Sequence, residues 1–124
     1  MLNVGLYEII SYSFDEENQV IKASVKFNKD HDIFKGHFPG SPVVPGVCMI
    51  QILKEIIEKT IIRETFLERV GEVKFLSMVN PEIHPEVEFE IKLKNSDNNL
   101  VNVNGIFYFR ELVFVKFKGC FKLL

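Results

Sequence analysis

One histidine stands in a segment suited to chemistry. Residues 36–46 read Gly36-His37-Phe38-Pro39-Gly40-Ser41-Pro42-Val43-Val44-Pro45-Gly46, and they hold three of the chain's five prolines and three of its seven glycines. Pro39, Pro42 and Pro45 each fix φ, while Gly36, Gly40 and Gly46 permit backbone conformations that other residues avoid. The loop runs straight into a segment with helical spacing. The first turn of such a helix carries free N–H groups and the positive end of the macrodipole. A stiff loop that brings an imidazole to that point can polarise a carbonyl and move a proton.

Other chemistry-bearing residues lie near it. Cys48 falls at the helix start, where a thiol pKa can drop. A Cys48–His37 nucleophile pair is one reading, and a buried cysteine packed as a small apolar residue is the other. Gln51 is flanked by Ile50 and Ile52 and falls amid Lys54, Glu55 and Glu58 on a helical wheel. It either begins the solvated face or belongs to a site. Glu55, one turn further, is either a carboxylate for that site or an i,i+4 partner of Lys59. His31 and His84 read as surface residues. His31 and His37 are six apart, which is neither a helical nor a zinc-ligand spacing, so no metal site is expected. Lys116, Lys118 and Lys122 read as the wet face of a strand, or as an attraction for an acidic partner.

The elements that must position these residues show in the periodicity. Apolar side chains alternate at period two over 20–27, 87–94, 101–109 and 112–122, the mark of half-buried strands. In the last of these Val113, Val115, Phe117 and Phe121 oppose Phe114, Lys116, Lys118 and Lys122. Weaker strands are expected at 7–14 and 72–79. Asp15-Glu16-Glu17-Asn18-Gln19 and Asn95-Ser96-Asp97-Asn98-Asn99 carry turn chemistry, and Arg110-Glu111 suits a tight hairpin. Between Val47 and about Ile62 the apolar residues Val47, Ile50, Leu53, Ile57 and Ile61 recur at helical spacing, flanked by Ile56. Lys54–Glu58 and Glu55–Lys59 stand at i,i+4 on the other face. The order is two strands, one apolar helix, then four strands. Short connections favour an antiparallel sheet, and the helix must bury its stripe on that sheet.

Composition bounds the function. A chain of 124 residues is one domain by size and long enough for one core. A hydrophobic share of 47% with 26% charged residues excludes a disordered chain. The net charge of −2 argues against nucleic-acid binding through bulk positive charge. Two distant cysteines, no apolar run of spanning length and no signal-like start point to reduced thiols in a cytoplasm, away from a membrane.

From Gly36 to Val47 the chain resembles, at every fixed position, the G-H-F-P-G-x-P-x-x-P-G-V signature of the 3-hydroxyacyl-(acyl carrier protein) dehydratases of the FabA/FabZ type. The resemblance implies an α+β hotdog fold over 1–124, a curved antiparallel β-sheet wrapped around one long central helix at about residues 47–62. It implies His37 as the catalytic base and the Gly46 N–H as the group that polarises the thioester carbonyl. Phe38, Pro39, Gly40 and Val47 would bind substrate beside Gly46. Fourteen residues after the histidine, where the family carries a catalytic Glu or Asp, stands Gln51. Asn80-Pro81-Glu82-Ile83-His84-Pro85 stands where the family has a Pro-Gly-Asp turn.

The implied reaction removes a proton from C2 and hydroxide from C3 of a 3-hydroxyacyl thioester. The substrate would ride on the phosphopantetheine of an acyl carrier protein or on coenzyme A. No metal or redox cofactor is implied. The implied assembly is a homodimer or higher homo-oligomer, with His37 of one subunit facing the central helix of the other. Gln51 can orient a hydroxyl or a water but has no proton of useful acidity. Three readings follow. His37 makes both proton transfers, or another group substitutes, or the task is different. A hotdog acyl thioesterase and a non-catalytic acyl-binding subunit are the alternatives of the last kind.

Overall fold

The computed structural model describes residues 5–36 and 42–124. In chain order the elements are β1 (Tyr7–Asp15), β2 (Val20–Phe27), α1 (Ile33–Gly36), α2 (Gly46–Ile61), β3 (Thr65–Phe75), β4 (Glu86–Ser96), β5 (Leu100–Phe109) and β6 (Leu112–Leu123). The six strands form one antiparallel sheet in the order β1-β2-β4-β5-β6-β3. The sheet lies around α2, as the hotdog expectation requires. No helix among the described residues is long and apolar enough to cross a membrane.

The alternating strands bury the faces their sequence marks. Ile21, Val25, Val87, Phe89, Ile91 and Phe107 all lie in the core. Each such side chain is worth about 1.5–3 kcal/mol against exposure. Gly105 lets the helix come close, because a Cβ there would stand 3.5 Å from Leu53 Cδ1 and 3.3 Å from the Phe107 ring. The turns hold where the polar residues fall. Asp15 accepts hydrogen bonds from the Asn18 backbone N–H (3.1 Å) and side-chain amide (2.8 Å). Asn98 and Asn99 both adopt the left-handed backbone of a tight hairpin, φ 64° and 60°.

Four details depart from the sequence reading. The strand expected at 72–79 is β3, and it starts at Thr65 and ends at Phe75. Two bulges against β6, at Leu67/Arg69 and Val70/Glu72, break its period of two. Beyond Phe75 the chain leaves the sheet, and Leu76 and Ser77 both donate to the Phe114 carbonyl (2.8 and 3.3 Å). Phe114 is fully buried rather than among the lysines. A bulge pairs Phe107 with Val115 and Tyr108 with Val113, so Phe114 falls between them and the inside–outside order flips. Val113 consequently takes the face of Tyr108, opposite to the one expected.

The buried stripe of α2 is also rotated. Cys48, Met49, Ile52, Leu53, Ile56 and Ile57 are buried, whereas Val47 is 62% exposed and Ile50 and Ile61 are half-buried. Apolar residues stand on both sides of the expected stripe, and Cys48, Met49 and Ile52 beside it are the ones buried. Finally, neither i,i+4 ion pair on α2 is present. The Glu58 carboxylate accepts the Thr65 N–H (2.6 Å) and hydroxyl (3.1 Å), which ties the helix end to β3.

Candidate active site

The head of α2 is built by its cap. Pro45 takes the cap position at φ −59°, ψ 143°, and its carbonyl accepts the Cys48 and Met49 N–H groups (3.0 and 3.2 Å). A proline has no side-chain acceptor, and no side-chain cap is made. Among the described residues the N–H groups of Gly46 and Val47 therefore have no hydrogen-bond partner. The approach to the cap is pinned by Val44, which donates to the Val79 carbonyl (2.9 Å).

Gly46 also makes a close approach. A Cβ at this position would stand 2.7 Å from Cε1 and 2.8 Å from Cζ of Phe75, so the ring rests on the bare Cα. An apolar cavity of about 410 Å³ opens here, walled by Pro45, Gly46, Met49, Phe75, Met78 and Val115. Phe75 is 60% and Met78 73% exposed. A larger groove of about 700 Å³ lies elsewhere, between β1, the end of β2 and residues 81–85. Its lining mixes Glu8, Lys26, Lys29 and Glu82, and none of the described motif residues lines it.

Gln51 lies half-buried one turn beyond Val47, on the helix face turned away from the buried stripe. Gly46, Val47 and Gln51 are thus brought together at the first two turns of α2. His37, Phe38, Pro39 and Gly40 lie outside the described residues.

Against this geometry, a family model of the ApeI dehydratase, named ApeI-like, matches residues 13–118. The chain belongs to the ApeI-like dehydratase family. It is 25% identical over 104 residues to the 3-hydroxyacyl-(acyl carrier protein) dehydratase FabZ of Fusobacterium nucleatum, across 80% of this chain and 72% of that protein. With the FabZ of Clostridium acetobutylicum it shares 34% over 93 residues, 66% of this chain and 64% of that one. The structure is similar to that of the dehydratase heterocomplex ApeI:P from Xenorhabdus doucetiae, at a TM-score of 0.70 and 19% identity over 94% of this chain and 96% of that one. It also resembles a hypothetical thioesterase with coenzyme A from Streptococcus pneumoniae, at a TM-score of 0.64 and 9% identity over 95% and 85%. At these identities the structural likeness concerns the fold.

In this ApeI-like chain the other candidate residues separate. Cys48 is buried, as a small apolar residue would be, and burial pushes its thiol up rather than down, while its partner in the nucleophile reading, His37, lies outside the described residues. Glu55 does not pair with Lys59. Its Oε1 accepts the Tyr7 hydroxyl (2.8 Å) from β1, and its Oε2 is buried without a hydrogen-bond partner. Burial and then the Glu55 carboxylate raise the Tyr7 phenol well above its usual range. Lys59 lies instead over the Tyr12 ring, 5.5 Å from its centroid. His31 and His84 are half-buried, not open surface. His31 Nδ1 accepts the Ile33 N–H (3.0 Å), and the His84 ring stands edge-on to Phe114 at 5.1 Å.

The sequence reading missed Phe75 and Met78 as cavity walls. Both fell inside the strand expected at 72–79, where nothing distinguished them from sheet residues. It also missed Tyr7, whose contact with Glu55 spans 48 residues and leaves no local signal.

Proposed function

We propose that this ApeI-like protein dehydrates 3-hydroxyacyl thioesters, carried on phosphopantetheine of an acyl carrier protein or on coenzyme A, in fatty-acid or related acyl biosynthesis. The observation that carries the reading is the open Gly46 amide at the head of α2 beside an apolar cavity of about 410 Å³. A thioester carbonyl placed there accepts the N–H, and one such donor is worth about 3–4 kcal/mol as negative charge develops on the oxygen. His37, in the neutral form, takes the C2 proton. The electron pair left on C2 forms the C2–C3 double bond, and the C3 hydroxyl leaves as water once it has received a proton. Gln51 hydrogen-bonds that hydroxyl and orients it, and the imidazolium of His37 returns the proton. Val47, Phe38, Pro39 and Gly40 complete the wall around the acyl chain.

The working unit in this reading is a homodimer. The bulged register turns Val70, Val73 and Phe75 of β3 toward the helix side of the sheet. Val70 is nevertheless 48% exposed, and Phe75 is 60% exposed although one side of its ring rests on Gly46 at the head of the helix. A second copy would cover this face and the outer side of α2, bringing its His37 loop toward Gly46 and Gln51.

A thioesterase reading draws support from Gln51, whose amide could position a water on the polarised carbonyl. A non-catalytic acyl-binding subunit would bind without turnover. A 3-hydroxyacyl and a plain acyl thioester, assayed side by side, test all three. Formation of the 2-enoyl thioester from the first, with no thiol released from the second, is the expected result. Thiol release would favour the thioesterase, and binding without turnover the subunit.

A further inference from the structure

One turn along α2 from Gln51, a carboxylate oxygen is buried without a donor. Glu55 Oε1 accepts the Tyr7 hydroxyl at 2.8 Å, and Oε2 has no hydrogen-bond partner. A buried acceptor left in this state costs the desolvation of that oxygen, so native structures keep few of them. The helix neighbours within its reach are those three and four residues away. Ile52 has no side-chain donor. Glu58 is itself an acceptor, engaged by the Thr65 N–H and hydroxyl. Lys59 lies over the Tyr12 ring. Gln51 remains, half-buried, and its amide makes no hydrogen bond among the described residues.

The two groups match in chemistry. Gln51 carries two N–H donors on one nitrogen, and an ionised carboxylate only accepts. Cβ atoms at i,i+4 stand about 5–6 Å apart, so a rotamer change of Gln51 brings its Nε2 to Glu55 Oε2. Tyr7 steadies the other oxygen from β1. Burial first and then the Glu55 carboxylate raise its phenol well above the usual range, so the hydroxyl stays a donor.

We propose that Glu55, held by Tyr7, is a positioning residue that orients the Gln51 amide in the active site. In the dehydratase reading, on which this rests, it matters which end of the amide meets the substrate. With one N–H given to Glu55, the other N–H of the same nitrogen donates to the C3 hydroxyl oxygen, which gains negative charge as its bond to carbon breaks. The reversed amide would set its carbonyl against Glu55 Oε2, two acceptors with no proton between them. No proton passes through Glu55. The one that completes the leaving water still comes from His37.

Two measurements on the intact protein test this. The first is the NMR position of the Gln51 side-chain amide protons, identified by their loss in Gln51→Ala. Glu55→Gln keeps the side-chain shape and an oxygen for Tyr7 but removes the charge, and it should shift one of these protons upfield. Unmoved signals would overturn the proposal, whether or not the protein turns over. The second is the rate of 2-enoyl thioester formation. Glu55→Gln should lower kcat about tenfold with KM within about twofold, as expected for a lost hydrogen bond to a charged group that acts in the transition state. Tyr7→Phe should lower kcat less. In a Gln51→Ala background neither change should lower kcat further. Equal losses in both backgrounds would mark Tyr7 and Glu55 as structural and overturn the positioning role. No enoyl product from any form would count against the dehydratase reading, and the amide signals would then decide the Glu55 contact alone.

Discussion

Gly46 supplies two things that substitution can separate, an N–H with no partner among the described residues and a bare Cα under the Phe75 ring. Proline at this position deletes the donor while suiting the first turn of a helix. Alanine keeps the donor but pushes a Cβ into the ring, at a cost of about 1 kcal/mol for an exposed ring with room to swing. Gly46→Ala should therefore lose turnover modestly, and Gly46→Ala/Phe75→Ala should regain it. Gly46→Pro should stay about 10²–10³-fold down with or without Phe75→Ala. Steady-state rates on a 3-hydroxyacyl thioester measure this, and equal losses for alanine and proline after removal of the ring would assign the glycine a conformational role only. Gln51 poses the complementary question. If the site lacks only its acid, Gln51→Glu should raise dehydration at least about tenfold, within the ~10²–10⁴ expected of a positioned general acid. The protonated carboxyl is the active form, so the gain should fade as pH rises through its pKa. A lower rate at every pH would show a pocket adapted to an amide.

At the scale of elements, the helix that presents Gly46 ends in an unusual cap. Ile62, 86% exposed, adopts the left-handed conformation at φ 56°, ψ 44°, and its N–H reaches the Glu58 carbonyl (2.9 Å). A β-branched residue is strained there and glycine is not. Ile62→Gly should stabilise the fold by about 1 kcal/mol, read as a higher thermal midpoint with unchanged turnover. What the sequence disclosed of these elements follows from how regular they are. Strands β2, β4 and β5 keep an unbroken period of two, so Val87, Phe89, Ile91 and Leu93 named their own buried face. β3 and the middle of β6 carry bulges, and one inserted residue inverts every side chain beyond it. That is why Phe114 was placed with the lysines and Thr65 was not seen as a strand start. The site was legible for a different reason. The proline and glycine spacing from Gly36 to Gly46 is a local feature, so a stiff loop running into a helix start could be read directly, while the role of the Gly46 N–H came from the family resemblance alone. Phe75 against Gly46 and Tyr7 against Glu55 depend on tertiary placement, which no local pattern encodes.

For the whole molecule, the uncovered concave side of β3 sets the expectation of a permanent dimer. Val70 and Phe75 face the helix layer, Val47 projects from it, and all three are about half exposed or more in one chain. The eleven-residue β3 is also a free sheet edge, which natural proteins seldom leave open. Sedimentation should give twice 14.4 kDa at micromolar concentrations, and a single-chain mass throughout that range would remove the second subunit from the site. The proposed function depends above all on His37 acting as the base of a dehydration. The most direct measurement is the formation of 2-enoyl thioester from a 3-hydroxyacyl thioester by the wild-type protein and by His37→Ala, each first checked for mass and thermal midpoint. The expected result is enoyl product from the wild type and a loss of about 10²–10⁴-fold in the variant, with both checks unchanged. Equal rates in the two proteins, or no enoyl product from the wild type, would contradict it.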